Sequence, residues 1–129
     1  MRTLILDTGA LIGLSQRNNR IWSLLDQAQR RGADVLVPAG TLVESLRGST
    51  RDTLINQLLN RPRTQVTIHD EERARSAGKL LKHARTSSAV DALVVAEALR
   101  YDGSTIATSD PDDITDLAQG SRYVTVVKV

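Results

Sequence analysis

Four carboxylates stand where runs of apolar residues stop. Asp7 follows Thr3-Leu4-Ile5-Leu6, Glu44 follows Thr41-Leu42-Val43, Asp91 precedes Ala92-Leu93-Val94-Val95-Ala96, and Asp110 follows Thr105-Ile106-Ala107-Thr108-Ser109. Acids at such boundaries can cap helices. Asp7 can cap a helix begun by Thr8-Gly9-Ala10, Thr41-x-x-Glu44 and Ser88-x-x-Asp91 match the capping box, and Asp110 precedes Pro111 as an N-cap precedes the first helical residue. They can also converge on one metal ion. At an effective dielectric of 20, two carboxylates about 5 Å apart repel by roughly 3 kcal/mol, so a cluster of four needs protons or a cation. Hard oxygen ligands with open positions for water and phosphate suit Mg²⁺ or Mn²⁺, which can make water nucleophilic and neutralise a phosphodiester.

Convergence depends on the elements that carry the acids. Short β-branched runs at Arg2-Leu6, Asp34-Val37, Gln65-Ile68, Ser104-Thr108 and Tyr123-Val127 predict five strands. Helix-period segments lie between them. Ile21, Leu24, Leu25 and Ala28 keep i, i+3, i+4, i+7 spacing up to the stop signal Gly32, and Leu54, Ile55, Leu58 and Leu59 repeat it before Pro62. Asp70-Ala84 is charged, with Glu71 and Arg75 one turn apart, and predicts a helix with one solvated face. Ala89-Leu99 is apolar nearly all round apart from Asp91 and Glu97, which predicts a central buried helix. Arg47-Gly48-Ser49-Thr50 is read as a turn between two helices. Such alternation implies βαβ units, a parallel sheet and helices on both of its faces. In such sheets ligands bind beyond the carboxyl ends of the strands at a switch point, where Asp7 and Asp110 would end neighbouring strands. Glu44 and Asp91 are expected in the first turns of helices aimed at the same edge.

The chain's 129 residues, 40% of them apolar, suit one domain spanning residues 1–129. No apolar run approaches the roughly 18 to 20 residues of a membrane span, and the N-terminus enters a strand-like run without a signal-peptide pattern, so a cytoplasmic protein is expected. With no cysteine, disulfides, zinc ribbons and thiol chemistry are excluded. Among the 17 basic residues only Lys79, Lys82 and Lys128 are lysine, and arginine's planar fork suits phosphate oxygens. Trp22, Tyr101 and Tyr123 are the only aromatic residues, which disfavours an RNA-binding sheet that stacks bases; nucleic acid would be held by its backbone.

The stretches Leu4-Ile5-Leu6-Asp7-Thr8, Pro38-Ala39-Gly40-Thr41-Leu42-Val43-Glu44-Ser45-Leu46-Arg47-Gly48, Asp91-Ala92-Leu93-Val94-Val95-Ala96 and Thr108-Ser109-Asp110 resemble, in this order, the PIN-domain ribonucleases, particularly the VapC-type toxins of toxin–antitoxin pairs. The resemblance implies a three-layer α/β/α fold whose five parallel strands are ordered 3-2-1-4-5. It implies an Mg²⁺- or Mn²⁺-dependent endoribonuclease leaving a 5′-phosphate and a 3′-hydroxyl. Asp7 and Asp91 would be the main metal ligands, Asp110 would complete the site, Glu44 would position water or a second ion, and Thr108 would orient Asp7 or its neighbour. A cognate antitoxin covering the acids and a homodimer are further implications. Where the family often has a second acid and then an aromatic residue, this chain has Asp110-Pro111-Asp112-Asp113-Ile114; Asp113 is preferred over Asp112 for that place, against the equal reading that both merely complement a helix N-terminus. The other reading of the same residues is a PIN module that binds RNA or protein without cleaving.

Two other signatures fail on context. Asp7-Thr8-Gly9 looks like the aspartic-protease motif, but helical periodicity dominates here; haloacid-dehalogenase-like enzymes need an acid where Gly9 stands. No Walker loop or dinucleotide fingerprint is present. Arg73, Arg75, Lys79, Lys82 and Arg85, just before Asp91, together with Arg47, are candidates for guiding RNA, against a plain solvated helix face. His69 is read as a turn residue, His83 as a helix-surface residue, and Trp22 as an anchor in the core or at a subunit interface.

Overall fold

A computed structural model describes residues 1–129. Its centre is β1 (Thr3–Leu6), whose four residues are all buried. Side chains alternate across a strand, so Leu4 and Leu6 enter one core and Ile5 the other. On either side of β1 lie β2 (Asp34–Pro38) and β4 (Ser104–Thr108), with β3 (Thr64–Thr67) and β5 (Val124–Lys128) at the edges. All pairings are parallel and the order is β3-β2-β1-β4-β5, as the resemblance implies. The register sets Leu6 opposite Ala107, so Asp7 and Thr108 emerge side by side at the switch point, where the connections after β1 and β4 run to opposite faces of the sheet.

The first helical layer comprises α1 (Thr8–Ser15), α2 (Asn19–Arg30) and, after a 3₁₀ turn at Thr50–Asp52, α4 (Thr53–Leu59). Leu11, Leu14, Ile21, Leu25, Ile55 and Leu58 fill the space between this layer and the sheet. Trp22 is partly buried against that core with the Arg61 guanidinium 5.7 Å from its ring centre. Gly32, at φ +64°, adopts the left-handed turn expected after α2.

The opposite layer holds α5 (Glu71–Leu81), α6 (Ala89–Ala98) and α7 (Pro111–Ala118). As its composition predicts, α6 is central, and six of its residues from Ala92 to Ala98 are buried. Among them is Glu97, a carboxylate that burial would penalise were it not hydrogen-bonded to Arg73 and Tyr101.

Two local expectations are corrected. α3 (Ala39–Ser45) starts directly after β2 with Pro38 at its N-cap position, so Thr41 lies inside the helix and Glu44 in its last turn; no capping box forms. Here the Thr41 hydroxyl donates to the Pro38 carbonyl at 2.8 Å. α5 stops at Leu81, which leaves His83 exposed in the following turn instead of on a helix. The expected turn at Arg47-Gly48 does form, and Asp52 holds it by accepting the backbone N–H groups of both residues.

Candidate active site

Asp7 ends β1 and caps α1, and both carboxylate oxygens are occupied. Oδ1 accepts the Thr8 backbone N–H at 2.8 Å and Oδ2 accepts the Thr108 hydroxyl at 2.7 Å. The Thr108 oxygen in turn accepts the Asp110 backbone N–H at 3.0 Å. One buried hydroxyl therefore links two acids 103 positions apart, the orienting role expected of Thr108. Asp7 is only 4% exposed, and burial, opposed by these hydrogen bonds and aided by the charges of Glu44 and Asp110, raises its pKa above the ordinary carboxylate value.

Glu44 reaches the same place from the end of α3, its Oε1 accepting the Thr8 hydroxyl at 2.6 Å. Asp91 arrives from the first turn of α6, which Ser88 caps by accepting the Asp91 backbone N–H at 3.2 Å. Half-buried, Asp91 is pushed up to about 6, first by burial and then by the charges of Asp7, Asp113 and Glu44. Asp110 occupies the N-cap position of α7, but its side chain makes no capping bond and lies beside Asp113. Asp113, one turn into α7, is raised by burial and then by Asp110 beside it, whereas Asp112 is exposed. The acids thus stand at one sheet edge, with Asp113 beside Asp110.

No three of these groups close into a ready-made metal cage. The donor set is all hard oxygen, the kind that suits a hard divalent cation, and no lysine or arginine pairs with any of these acids. Neither histidine takes part: His69 accepts the Gly40 amide, and His83 is exposed.

The basic candidates separate. Arg73 is removed from RNA contact, since its side chain is 14% exposed and bonded to Glu97 and Asp70. Arg75 pairs with Glu71, and Arg47 closes the end of α3 by donating to the carbonyls of Val43, Glu44 and Leu46. Lys79, Lys82 and Arg85 are exposed and form no ion pair.

Sequence reasoning missed Thr8 and Gly9 as parts of the site. A Cβ at Gly9 would stand 1.9 Å from Ser109 Oγ, 2.6 Å from its Cβ and 3.0 Å from its backbone nitrogen. Gly9 thus lets the loop carrying Asp110 close on α1. The only signal was a glycine two residues after a strand-end acid. Gly9→Ala is expected to destabilise the fold by about 1–3 kcal/mol in urea unfolding. Adding Ser109→Gly, which removes the two closest atoms, should recover part of that loss; no loss in the single variant would contradict the close approach.

A parallel α/β/α sheet with carboxylates gathered beside the β1/β4 switch defines a class of open-sheet proteins with an anionic site at the strand ends. The PIN domain profile matches residues 4–119, and the chain belongs to the PIN domain family, whose members are generally nucleases. No curated protein matches the chain. Among solved structures, a chain in the crystal structure of VapBC2 from Rickettsia felis bound to a DNA fragment from their promoter superimposes with a TM-score of 0.66 over 98% of each chain, at 10% identity. At that identity the likeness concerns the fold.

Proposed function

We propose that residues 1–129 form one PIN domain acting as an Mg²⁺- or Mn²⁺-dependent endoribonuclease, the cytoplasmic toxin of a type II toxin–antitoxin pair. The observation that carries this reading is the meeting of Asp7, Glu44, Asp91, Asp110 and Asp113 at one sheet edge, with no lysine or arginine paired to any of them. A bound divalent cation supplies a more acidic water and neutralises charge on the phosphodiester. Asp7, Asp91 and Asp110 would hold it, with Asp113 in support. Thr108 and the Thr8 amide keep Asp7 in one orientation, and Glu44, anchored by the Thr8 hydroxyl, would order the attacking water. Lys79, Lys82 and Arg85 would hold the RNA backbone. Membership in a family of nucleases supports the reaction class, and the fold shared with a chain of a VapBC2 complex supports a cognate antitoxin as partner. A homodimer belongs to the same reading. No helix is long and apolar enough to cross a membrane.

The test is to sequence RNA 5′-phosphate ends after induced expression of wild type and Asp7→Asn. New ends present only with wild type are expected. If none depend on Asp7, the nuclease reading fails and a PIN module that binds without cleaving takes its place.

A further inference from the structure

α3 begins without a side-chain cap of its own. Pro38 offers none, and the Thr41 hydroxyl is spent on the Pro38 carbonyl. The Gly40 amide is taken instead by His69 Nε2, at 2.8 Å, reaching across from the connection between β3 and α5. Because Nε2 accepts, it carries no proton, and the neutral ring is protonated on Nδ1. The approach is close: a Cβ at Gly40 would stand 3.1 Å from His69 Nε2 and 3.5 Å from Val90 Cγ2. Val90 immediately precedes Asp91. The first turn of α3 is therefore set between His69 and the turn of α6 that carries one acid, while its last turn carries another, Glu44. A seven-residue helix is far too short to hold itself in water, so its place depends on contacts such as these.

We propose that His69 is a positioning residue for the acid cluster: by accepting the Gly40 amide it fixes the start of α3 and hence the place of the Glu44 carboxylate beside Asp7. The part of this that concerns cleavage rests on the nuclease reading above; the geometric part does not. Glutamine places an amide oxygen near where Nε2 stands and can accept the same bond, whereas alanine cannot.

The experiment compares full-length wild type, His69→Ala and His69→Gln, each checked for folding by circular dichroism. In wild type, imidazole ¹⁵N shifts should report a proton on Nδ1 only. The Glu44 side-chain ¹³C carboxyl shift should move in His69→Ala and return toward wild type in His69→Gln. In Mn²⁺-supported RNA cleavage, His69→Ala should lower kcat on the order of 10- to 100-fold with KM little changed, since misplacement by about an ångström costs that much, and His69→Gln should regain most of it. An unmoved Glu44 shift, or equal kcat loss in both variants, overturns the proposal. If wild type does not cleave at all, the nuclease reading falls, and the Glu44 shift alone decides the role of His69.

Discussion

Asp91→Asn is expected to abolish cleavage and, without divalent cations, to make the protein more stable. Asp91 is raised from 3.8 to about 6 by burial and by the charges of Asp7, Asp113 and Glu44. The folded state therefore binds its proton more tightly than the unfolded state does, and stability falls as pH rises from about 4 through 6. Two pKa units set an upper limit of about 3 kcal/mol, which water reaching a half-buried carboxylate reduces. Asparagine carries no charge at any pH. Urea unfolding in chelator should show no gain for the variant near pH 4 and a gain of roughly 1–2 kcal/mol at pH 7.5. Mn²⁺ should then stabilise wild type more than the variant, because a ligand that binds only the folded state adds its binding free energy. Activity should fall by more than the roughly 10–100-fold typical of losing a supporting partner of a metal ligand. Equal stability of the two proteins at pH 7.5 in chelator would mean that neither burial nor the neighbouring carboxylates penalise the charge on Asp91.

The largest stability loss is expected from Glu97→Ala. Glu97 is 1% exposed, and its carboxylate accepts from the Arg73 guanidinium and from the Tyr101 hydroxyl at 3.1 Å. Burial, and then Glu97, raise the Tyr101 pKa, so the phenol stays protonated as the donor. Truncation leaves the Arg73 guanidinium with Asp70 alone and the Tyr101 phenol without its acceptor, and breaking a buried pair costs up to about 3–5 kcal/mol. The melting temperature should drop by more than about 10 °C. Replacing both partners, as Glu97→Leu with Arg73→Met, should recover much of the loss because no unpaired charge remains. The exposed pair Arg75–Glu71 is the control, and its removal should cost no more than about 1 kcal/mol. If Glu97→Ala behaves like that control, the network does not hold the two helices together.

Much of the architecture was legible because it is local. The β-branched runs mark each strand to within a residue at either end, the apolar period marks α2 and α4, and an almost wholly apolar run marks α6. The boundary of α3 was misread because Thr41-x-x-Glu44 matches a capping box in spacing alone; β2 runs to Pro38 and leaves no residues for a loop before the helix. The order of the strands came from family resemblance, since strand period says nothing about neighbours.

The site divides along the same line. Asp7, Glu44, Asp91 and Asp110 could be picked out because acids at the ends of apolar runs are a local pattern, and the resemblance joined them. Thr8's hold on Glu44 and Gly9's room for Ser109 depend on α1 meeting α3 and the β4–α7 loop. Similarly, Arg73 and Lys79 lie on one charged helix, yet Arg73 is consumed by Glu97, 24 residues away, and Lys79 is left exposed. The sequence by itself determined the succession of elements and the residue types offered at their ends, because backbone propensity and side-chain period act over a few residues. Only the tertiary structure decided which side chains meet, because the contacts joining the site, such as Thr108 to Asp7 across 101 residues, exist only after the parallel sheet has paired β1 with β4.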